Sequence, residues 1–247
     1  MTESVSIVIA THNRAGMLET TLSSLAALVV PSGLEVELVV VANACTDETP
    51  EVAKRFAQSW SHPARCVVEA ETGLSVARNC GVAASSGSIV AMLDDDVWVD
   101  PSWLEGLLEV YERHPADIVA GRVLLRWEGT ERPPWFTPRI ERCLSMRDHG
   151  LEIRELFRPG DALGANYSFR RGLHGDIGGF RRGLGRTGAA LLGGEEVDFT
   201  LRALRRGARM FYAPRGLVGH FVLPERVTPR YLCDLVRGSS RSKIYVD

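Results

Sequence analysis

The chain has 247 residues, of which 45% are hydrophobic and 24% are charged, and its formal net charge at pH 7 is -2. This composition is ordinary for a globular protein of one large or two small domains, and it offers no general attraction to nucleic acid. Five cysteines without a Cys-x-x-Cys pair argue against a disulfide framework or a zinc site, and they indicate a reducing compartment.

No signal-type segment precedes the first predicted strand, and no apolar run reaches the roughly 20 residues that a transmembrane helix needs. We therefore expect a cytoplasmic protein, with peripheral association at the inner face of the membrane left open. Arginines crowd one part of the second half and form either a solvated face or a contact for a phosphorylated or membrane-borne substrate. They are Arg170, Arg171, Arg181, Arg182, Arg186, Arg202, Arg205, Arg206 and Arg209.

The first half alternates predicted strands and helices. Apolar, β-branched runs predict strands at residues 5–10, 36–42, 65–68, 88–93 and 117–125. Helical patterns predict helices at residues 17–28, 49–57 and 75–84 and from residue 101 onward, with caps expected at Thr46 or Asp47, Ser75 and Asp100. This alternation is typical of a parallel sheet. No glycine-rich phosphate loop follows a strand, which argues against ordinary dinucleotide and P-loop sites.

The second half is less regular. Residues 127–158 are rich in proline and lack a firm period, which favours a functional loop or lid over a disordered segment. A strand-like segment follows at residues 164–170, and residues 175–194 carry too many glycines for a regular element. A helix is then expected from Glu195. Two late short strands are predicted at residues 210–212 and 217–221.

Three consecutive carboxylates, Asp94-Asp95-Asp96, follow the apolar run at residues 88–93. Ligands of open α/β sheets bind outside the carboxyl ends of such strands. In an extended chain Asp94 and Asp96 would point to one side about 7 Å apart. Because Mg²⁺ is usually held by one or two carboxylates and substrate phosphates, the pattern predicts a metal-bridged phosphate ligand. The alternative is a solvated loop before a helix.

Several segments together resemble the family 2 glycosyltransferases, enzymes of the GT-A fold that transfer sugar from a nucleotide donor. The segments that carry the resemblance are residues 6–14, 39–47, 73–81, 93–96, 164–166, 178–180 and 194–198. The resemblance implies an α/β fold with a Rossmann-like, mostly parallel central sheet flanked by helices. It also implies one domain over residues 1–247, with a nucleotide-sugar-binding half (1–125) and an acceptor-binding and catalytic half (126–247) that contains the variable loop 127–158.

The resemblance also implies roles for individual residues. The expected nucleotide-sugar contacts are Thr11, Asn13, Arg14, Asn43, Asp47, Arg78, Asp94 and Asp95. Asp96 and His220 are the expected ligands of Mn²⁺ or Mg²⁺. Glu196 aligns with the usual catalytic base, with Glu195 as the alternative, and Asn166 and Trp135 are expected on the acceptor side.

The implied reaction is an inverting transfer from a nucleotide-diphospho-sugar to a hydroxyl of an acceptor sugar, a glycolipid or a small natural product. Two positions depart from the family pattern: Glu196 stands where aspartate is usual, and Ala42 where an aspartate often faces the base, so the nucleobase is open. Arg202 either supports the pyrophosphate or pairs with Asp198. The alternatives are a non-catalytic nucleotide-sugar-binding homologue and a nucleotidyltransferase.

Overall fold

A single mixed sheet with helices on both faces forms the framework of the protein. The computed structural model describes residues 3–186 and 193–246. Its strands are β1 (Ser4–Thr11), β2 (Glu35–Asn43), β3 (Ala64–Glu69), β4 (Ile89–Leu93), β5 (Val97–Val99), β6 (Ile118–Arg126), β7 (Arg154–Leu156), β8 (Asn166–Arg170) and β9 (Met210–Phe221). Its helices are α1 (Ala15–Leu25), α2 (Thr49–Ser59), α3 (Leu74–Ala84), α4 (Trp103–Arg113), α5 (Pro138–Cys143), α6 (Arg171–Ile177), α7 (Glu195–Arg205) and α8 (Pro229–Val246). Short 3₁₀ helices cover Pro159–Asp161 and Pro224–Val227.

The strand order is β3-β2-β1-β4-β8-β6-β9-β5, and β7 pairs with β9 beside this path. The first four strands are parallel to one another. Antiparallel pairing begins at β8, which lies between β4 and β6. The predicted α/β class with a parallel, helix-flanked sheet is therefore confirmed. Because β2, β1 and β4 are adjacent and parallel, their carboxyl ends lie side by side at one edge.

Alternation along the strands divides the core into two layers. Odd-numbered residues of β1, such as Ile7 and Ile9, pack with Leu18 and Leu22 of α1 and with Trp103 of α4. The other layer combines β1, β2 and β4 with α3 and α7, and it is rich in aromatic side chains around β8. Burial of both sheet faces explains why the parallel strands are continuous apolar runs rather than alternating ones.

Several predicted elements differ from the structure. The carboxylates of residues 94–96 lie in a turn between β4 and the short β5, so they do not continue a strand. The helix expected from residue 101 begins at Trp103, and in the turn before it Asp100 accepts hydrogen bonds from the amide and hydroxyl of Ser102. Ser75 is not a cap, because its hydroxyl donates to the carbonyl of Leu184 at 2.7 Å.

The irregular segment at residues 127–158 contains α5 and β7, which the sequence did not predict. The two late strands form the single strand β9. Helix α6 occupies the start of the glycine-rich stretch, and residues 187–192 of that stretch lie outside the described residues. Helix α8 packs on the irregular segment through a third apolar cluster that includes Phe136, Leu144 and Val222. Among the described helices, none combines the length and the apolar character needed to cross a membrane.

Candidate active site

The loops that follow β1 and β2 are joined by hydrogen bonds at the carboxyl edge of the sheet. Asn13 has a left-handed backbone (φ 51°), and its Oδ1 accepts from the amides of Thr46 at 2.7 Å and Asp47 at 3.3 Å. Asp47 is exposed and accepts from the amides of Ala15 at 3.2 Å and Thr49 at 3.0 Å. Asn13 and Asp47 therefore shape the rim on which a nucleotide is expected to lie.

Asn43 lies beneath this rim and is buried. Its amide nitrogen donates to the carbonyls of Glu69 and Glu71, and its Oδ1 accepts from the amide of Gly73 at 2.9 Å. The side chain thus ties the end of β2 to the loop before α3. In this structure its polar atoms are used within the protein, so Asn43 supports the expected nucleotide site from below.

Asp95 is buried beneath the acidic turn and is held by two donors. Thr11 donates its hydroxyl to Oδ2 at 2.6 Å, and Arg14 donates to Oδ1 at 2.6 Å. Burial raises the pKa of Asp95 to about 6, because the opposing effect of Arg14 is partly offset by the negative charge of Asp96. Thr11, Arg14 and Asp95, all expected nucleotide contacts, therefore bind one another in this structure.

Asp96 is surrounded by cationic and imidazole groups. Its Oδ2 accepts from Arg14 at 3.0 Å and from Arg226 at 2.8 Å, and its Oδ1 lies 3.3 Å from His220 Nε2. Burial acts to raise the pKa of Asp96, but His220, Arg226 and Arg14 hold it well below its usual range. The pKa of Asp96 is therefore shifted in the direction opposite to that of its neighbour Asp95.

Arg226 was not predicted from the sequence. It lies on the 3₁₀ helix after β9 and is 8% exposed. Only the fold brings it to Asp96, which is 130 positions earlier in the chain. No local pattern around residue 226 signals this contact.

The register of β5 against β9 explains the position of His220. Val97 pairs with His220, and the amide of Phe221 donates to the carbonyl of Asp96 at 3.0 Å. The antiparallel pairing therefore places the imidazole beside the acidic turn.

Asp94, Asp96 and His220 can each direct one ligand atom to a common point, and these atoms lie within 4.8 Å of one another. His220 Nδ1 is buried and has no hydrogen-bond partner among the described residues. Two carboxylates and an imidazole suit Mn²⁺, and the carboxylates alone suit Mg²⁺. The three residues thus fit a divalent cation.

Arg78 connects this acidic turn to the start of α7. The guanidinium group is 3% exposed; its Nη1 pairs with Oε1 of Glu195, and its Nη2 lies 3.3 Å from Oδ1 of Asp94. Asn79 reinforces the connection, because its amide binds both backbone polar groups of Phe180. The two neighbouring residues of α3 therefore fix segments that are about 100 positions away in the chain.

Glu196 follows Glu195 in the first turn of α7. Burial and the negative charge of Glu195 raise the pKa of Glu196 to about 8, and Arg78 opposes this shift. Glu196 Oε2 is buried without a hydrogen-bond partner among the described residues. A carboxyl group with such a pKa exchanges its proton near neutral pH, as a general base must.

Three other predicted residues make no hydrogen bond or ion pair with these acids among the described residues. Asn166 is 1% exposed; it accepts from Trp103 Nε1 and donates to the carbonyls of Arg122 and Gly216, so its amide is used in the core. Trp135 lies beside Phe136 and is 45% exposed. Arg202 pairs with Asp198 at 2.8 Å, which is one of the two roles expected for it.

The family model for glycosyl transferase family 2 matches residues 6–175. The chain belongs to glycosyl transferase family 2. The matched part of this family 2 glycosyltransferase contains the rim, the acidic turn and Arg78, whereas Glu195, Glu196 and His220 lie after it.

Two curated relatives are similar over most of the chain. The glucosyl-dolichyl phosphate glucuronosyltransferase of Haloferax volcanii is 30% identical over 227 residues, which cover 87% of this chain and 68% of the relative. The pre-mycofactocin glycosyltransferase of Mycobacterium tuberculosis is also 30% identical, over 87% of this chain and 42% of the relative. The chain therefore spans about two fifths to two thirds of the length of these relatives.

Solved structures support the fold. A mannosyltransferase from Pyrobaculum calidifontis, solved with GDP-Man and Mn²⁺, has a TM-score of 0.67 and 20% identity, over 92% of this chain and 59% of that protein. GalNAc-T7, solved with UDP, GalNAc and Mn²⁺, has the same TM-score and 18% identity, over 96% of this chain and 47% of that protein. These similarities confirm the GT-A fold expected from the sequence.

Proposed function

We propose that this family 2 glycosyltransferase is an inverting, metal-assisted enzyme that transfers a sugar from a nucleotide-diphospho-sugar to an acceptor hydroxyl. One observation carries the proposal: the metal-competent group of Asp94, Asp96 and His220 is linked by Arg78 to the paired glutamates at the start of α7. A donor diphosphate and a base are the two requirements of such a transfer, and the fold brings their candidate residues together.

The donor would lie along the rim at the carboxyl ends of β1 and β2, with its diphosphate at the acidic turn. Asp94, Asp96 and His220 would hold the divalent cation, which supplies positive charge to the departing nucleoside diphosphate. In support, similar structures were solved with GDP-Man and Mn²⁺ and with UDP and Mn²⁺.

Glu196 is the base in this proposal. The acceptor oxygen bonds to the anomeric carbon from the side opposite the diphosphate, the bond from that carbon to the diphosphate oxygen breaks, and the hydroxyl proton passes to the carboxylate of Glu196. Oε2 of each glutamate is buried without a hydrogen-bond partner among the described residues, but Glu195 is ion-paired with Arg78, and this difference supports Glu196 as the residue that receives the proton.

The names of the relatives suggest the class of acceptor. One refers to a glucosyl-dolichyl phosphate and another to pre-mycofactocin. We propose a hydroxyl-bearing acceptor of this range, which includes lipid-linked sugars and small natural products, and peripheral contact with a membrane where the acceptor is lipid-borne. Trp135, on the exposed side of the 127–158 segment, is the proposed acceptor contact.

The test compares sugar transfer and donor binding in wild type, Glu196→Gln and Asp96→Asn. Removal of a general base typically costs about 10²- to 10⁴-fold in rate, so we expect that loss in Glu196→Gln with donor affinity retained. Asp96→Asn should lose the dependence of nucleoside diphosphate binding on Mn²⁺ in calorimetry. Wild type that binds a donor but turns over none would instead indicate a non-catalytic binding protein.

The proposed base also predicts a pH profile. Because Glu196 must be deprotonated and its pKa is raised to about 8, kcat/KM should fall as the pH decreases below about 8. The charged or titratable groups that act on it are Glu195, Arg78, Tyr167 and Arg147. A profile that stays flat from pH 6 to 9 would contradict the assignment of Glu196.

A further inference from the structure

Arg78 has little freedom to bind a phosphate directly. It is 3% exposed, and both ends of its guanidinium group are engaged, at Glu195 and at Asp94. A Cβ atom at Gly164 would lie 2.0 Å from Nη2, so the backbone of that glycine closes one side. The ring of Phe180 lies 5.9 Å from the guanidinium carbon on another side. The group is therefore enclosed by protein.

The two partners of Arg78 belong to the two halves of the proposed site. Asp94, whose side chain is 34% exposed, belongs to the group that fits a divalent cation. Glu195 is 2% exposed and begins the helix that carries Glu196. Because a planar guanidinium group has its donors in fixed directions, one that holds two carboxylates also fixes the distance between them.

The contacts of the two adjacent glutamates differ. Oε1 of Glu195 is paired with Arg78, whereas its Oε2, near Gly185, is buried without a hydrogen-bond partner among the described residues, as is Oε2 of Glu196. No described residue provides an ion-pair partner of this kind for Glu196. Arg78 thus forms an ion pair with one glutamate of the pair, through a single oxygen of Glu195, and not with the other.

We infer that Arg78 is a positioning residue, which holds Glu195 in a structural ion pair, leaves Glu196 as the proton acceptor, and sets the spacing between Asp94 and the start of α7. This inference rests on the proposed function. It replaces the expectation that Arg78 contacts the donor diphosphate. Glu195, in turn, becomes a support for the base rather than an alternative base.

The first experiment measures nucleotide binding. UDP and GDP, each with Mn²⁺, are titrated by calorimetry into wild type, Arg78→Lys and Arg78→Met. A positioning role predicts that the Kd changes by less than about threefold, because Arg78 does not touch the nucleotide, whereas a direct diphosphate ligand would cost about tenfold or more on removal of a charge-assisted bond. A loss of that size in both folded variants overturns the inference.

The second experiment measures turnover of a UDP-sugar or a GDP-sugar, whichever matches the nucleotide that wild type binds. Turnover is the slow transfer of the sugar to water, and it is detected as release of the nucleoside diphosphate. We expect Arg78→Met to lower kcat about 100-fold with little change in KM, and Arg78→Lys to recover about tenfold of that loss. If Arg78 acts through Glu195, then Arg78→Met added to Glu195→Gln should cost little more than either change alone. Losses that multiply in the double variant would overturn the inference.

Arg202→Met is the matched control. Arg202 also pairs with an acid of α7, Asp198, and binds the carbonyls of Ile177 and Gly179, but it has no contact with Glu195 in the described residues. Arg202→Met should lower the free energy of unfolding and change kcat by less than about threefold. If it lowers kcat as much as Arg78→Met does, a general loss of order in α7 explains both results and the inference is overturned.

If wild type binds neither nucleotide, the proposed function fails, and the positioning role fails with it. If wild type binds the nucleotides and only the Arg78 variants lose that binding, the positioning role alone is overturned.

Discussion

In the proposed mechanism, Glu196 combines a catalytic requirement with a cost to the folded state. Its pKa is raised from an ordinary value of 4.5 to about 8, so the folded protein holds this proton more tightly than the unfolded chain does. Where the folded state binds more protons, stability falls as the pH rises. The strain of keeping an ionised Glu196 beside Glu195 is therefore greatest at the pH where the base is active.

The free energy of unfolding should reveal this cost. We expect wild type to lose roughly 1–3 kcal/mol relative to Glu196→Gln between pH 5 and pH 8.5, since each unit of pKa shift corresponds to about 1.4 kcal/mol and partial solvation reduces the effect. Urea unfolding of both proteins at the two pH values measures the difference. Glu152→Gln, an exposed change outside the site, serves as the control. A constant difference would show that Glu196 titrates normally.

Arg226 occupies a position in which it would compete with the proposed divalent cation for Asp96. Its Nη2 lies 2.8 Å from Oδ2 of Asp96, one of the residues that fit a divalent cation. Removing this positive charge should favour metal binding, because Asp96 would have one cationic partner fewer. In the absence of nucleotide we expect Arg226→Gln to bind Mn²⁺ about three- to tenfold more tightly, as measured by calorimetry.

Arg237→Gln is the comparison for that measurement, because Arg237 lies on α8 with a side chain 76% exposed, paired only with Asp234 among the described residues. It should leave the Mn²⁺ affinity unchanged. Weaker Mn²⁺ binding by Arg226→Gln would instead mean that Arg226 supports the geometry of Asp96.

At the scale of elements, the loop before β8 depends on a glycine. A Cβ atom at Gly164 would fall within 2.0 Å of Arg78, whereas one at Gly160 would meet nothing within 4 Å. We therefore expect Gly164→Ala to lower the free energy of unfolding by about 1–3 kcal/mol, the usual cost of overpacking. Gly160→Ala, in the same connection, should be close to neutral. Chemical denaturation of both variants tests this, and equal stabilities would show that Arg78 can move aside.

The parallel strands were predictable because burial of both faces gives each of them a continuous apolar run. Strand β9 was predicted as two pieces because Pro214, Arg215 and Gly216 interrupt its pattern. The structure resolves this as an irregularity: the partner of Gly121 is Ala213, but the partner of Arg122 is Leu217. The three-residue strand β5 is too short to produce a recognisable pattern.

The acidic turn was predictable because three carboxylates directly follow an apolar strand. The ion pairs around it were not, since Arg78 and Glu195 are separated by 117 positions and Asp96 and Arg226 by 130. Asn166 illustrates the opposite difficulty. An asparagine beside the expected site was assigned to the acceptor side, but the structure uses its amide to join Trp103 to two backbone carbonyls.

At the scale of the whole molecule, ligand binding should stabilise the fold as a unit. The candidate site joins the ends of β1, β2 and β4 to β9 and α7, so the proposed ligands would contact segments from both halves of the chain. A ligand at 100 times its Kd contributes about 2.7 kcal/mol, which corresponds to roughly 5–10 °C in Tm for a chain of this size. We expect such a rise with Mn²⁺ and a matching nucleoside diphosphate together, measured by thermal unfolding.

A chelator should reverse most of this rise, because the diphosphate alone would face Asp94 and Asp96 without a bridging charge. The variant Asp96→Asn should show a much smaller rise. If the nucleotide stabilises the protein equally with and without metal, the diphosphate is bound by protein groups alone.

The packing of α8 has a consequence for engineering the proposed acceptor side, residues 127–158. Apolar side chains of α8 rest on the 127–158 segment, and Thr130 of that segment donates to the carbonyl of Val222 at 2.6 Å. Arg226, which holds Asp96, lies in the short connection between Val222 and α8. A loop transplanted from a relative into residues 127–158 would therefore disturb Asp96 unless residues 222–246 were exchanged with it.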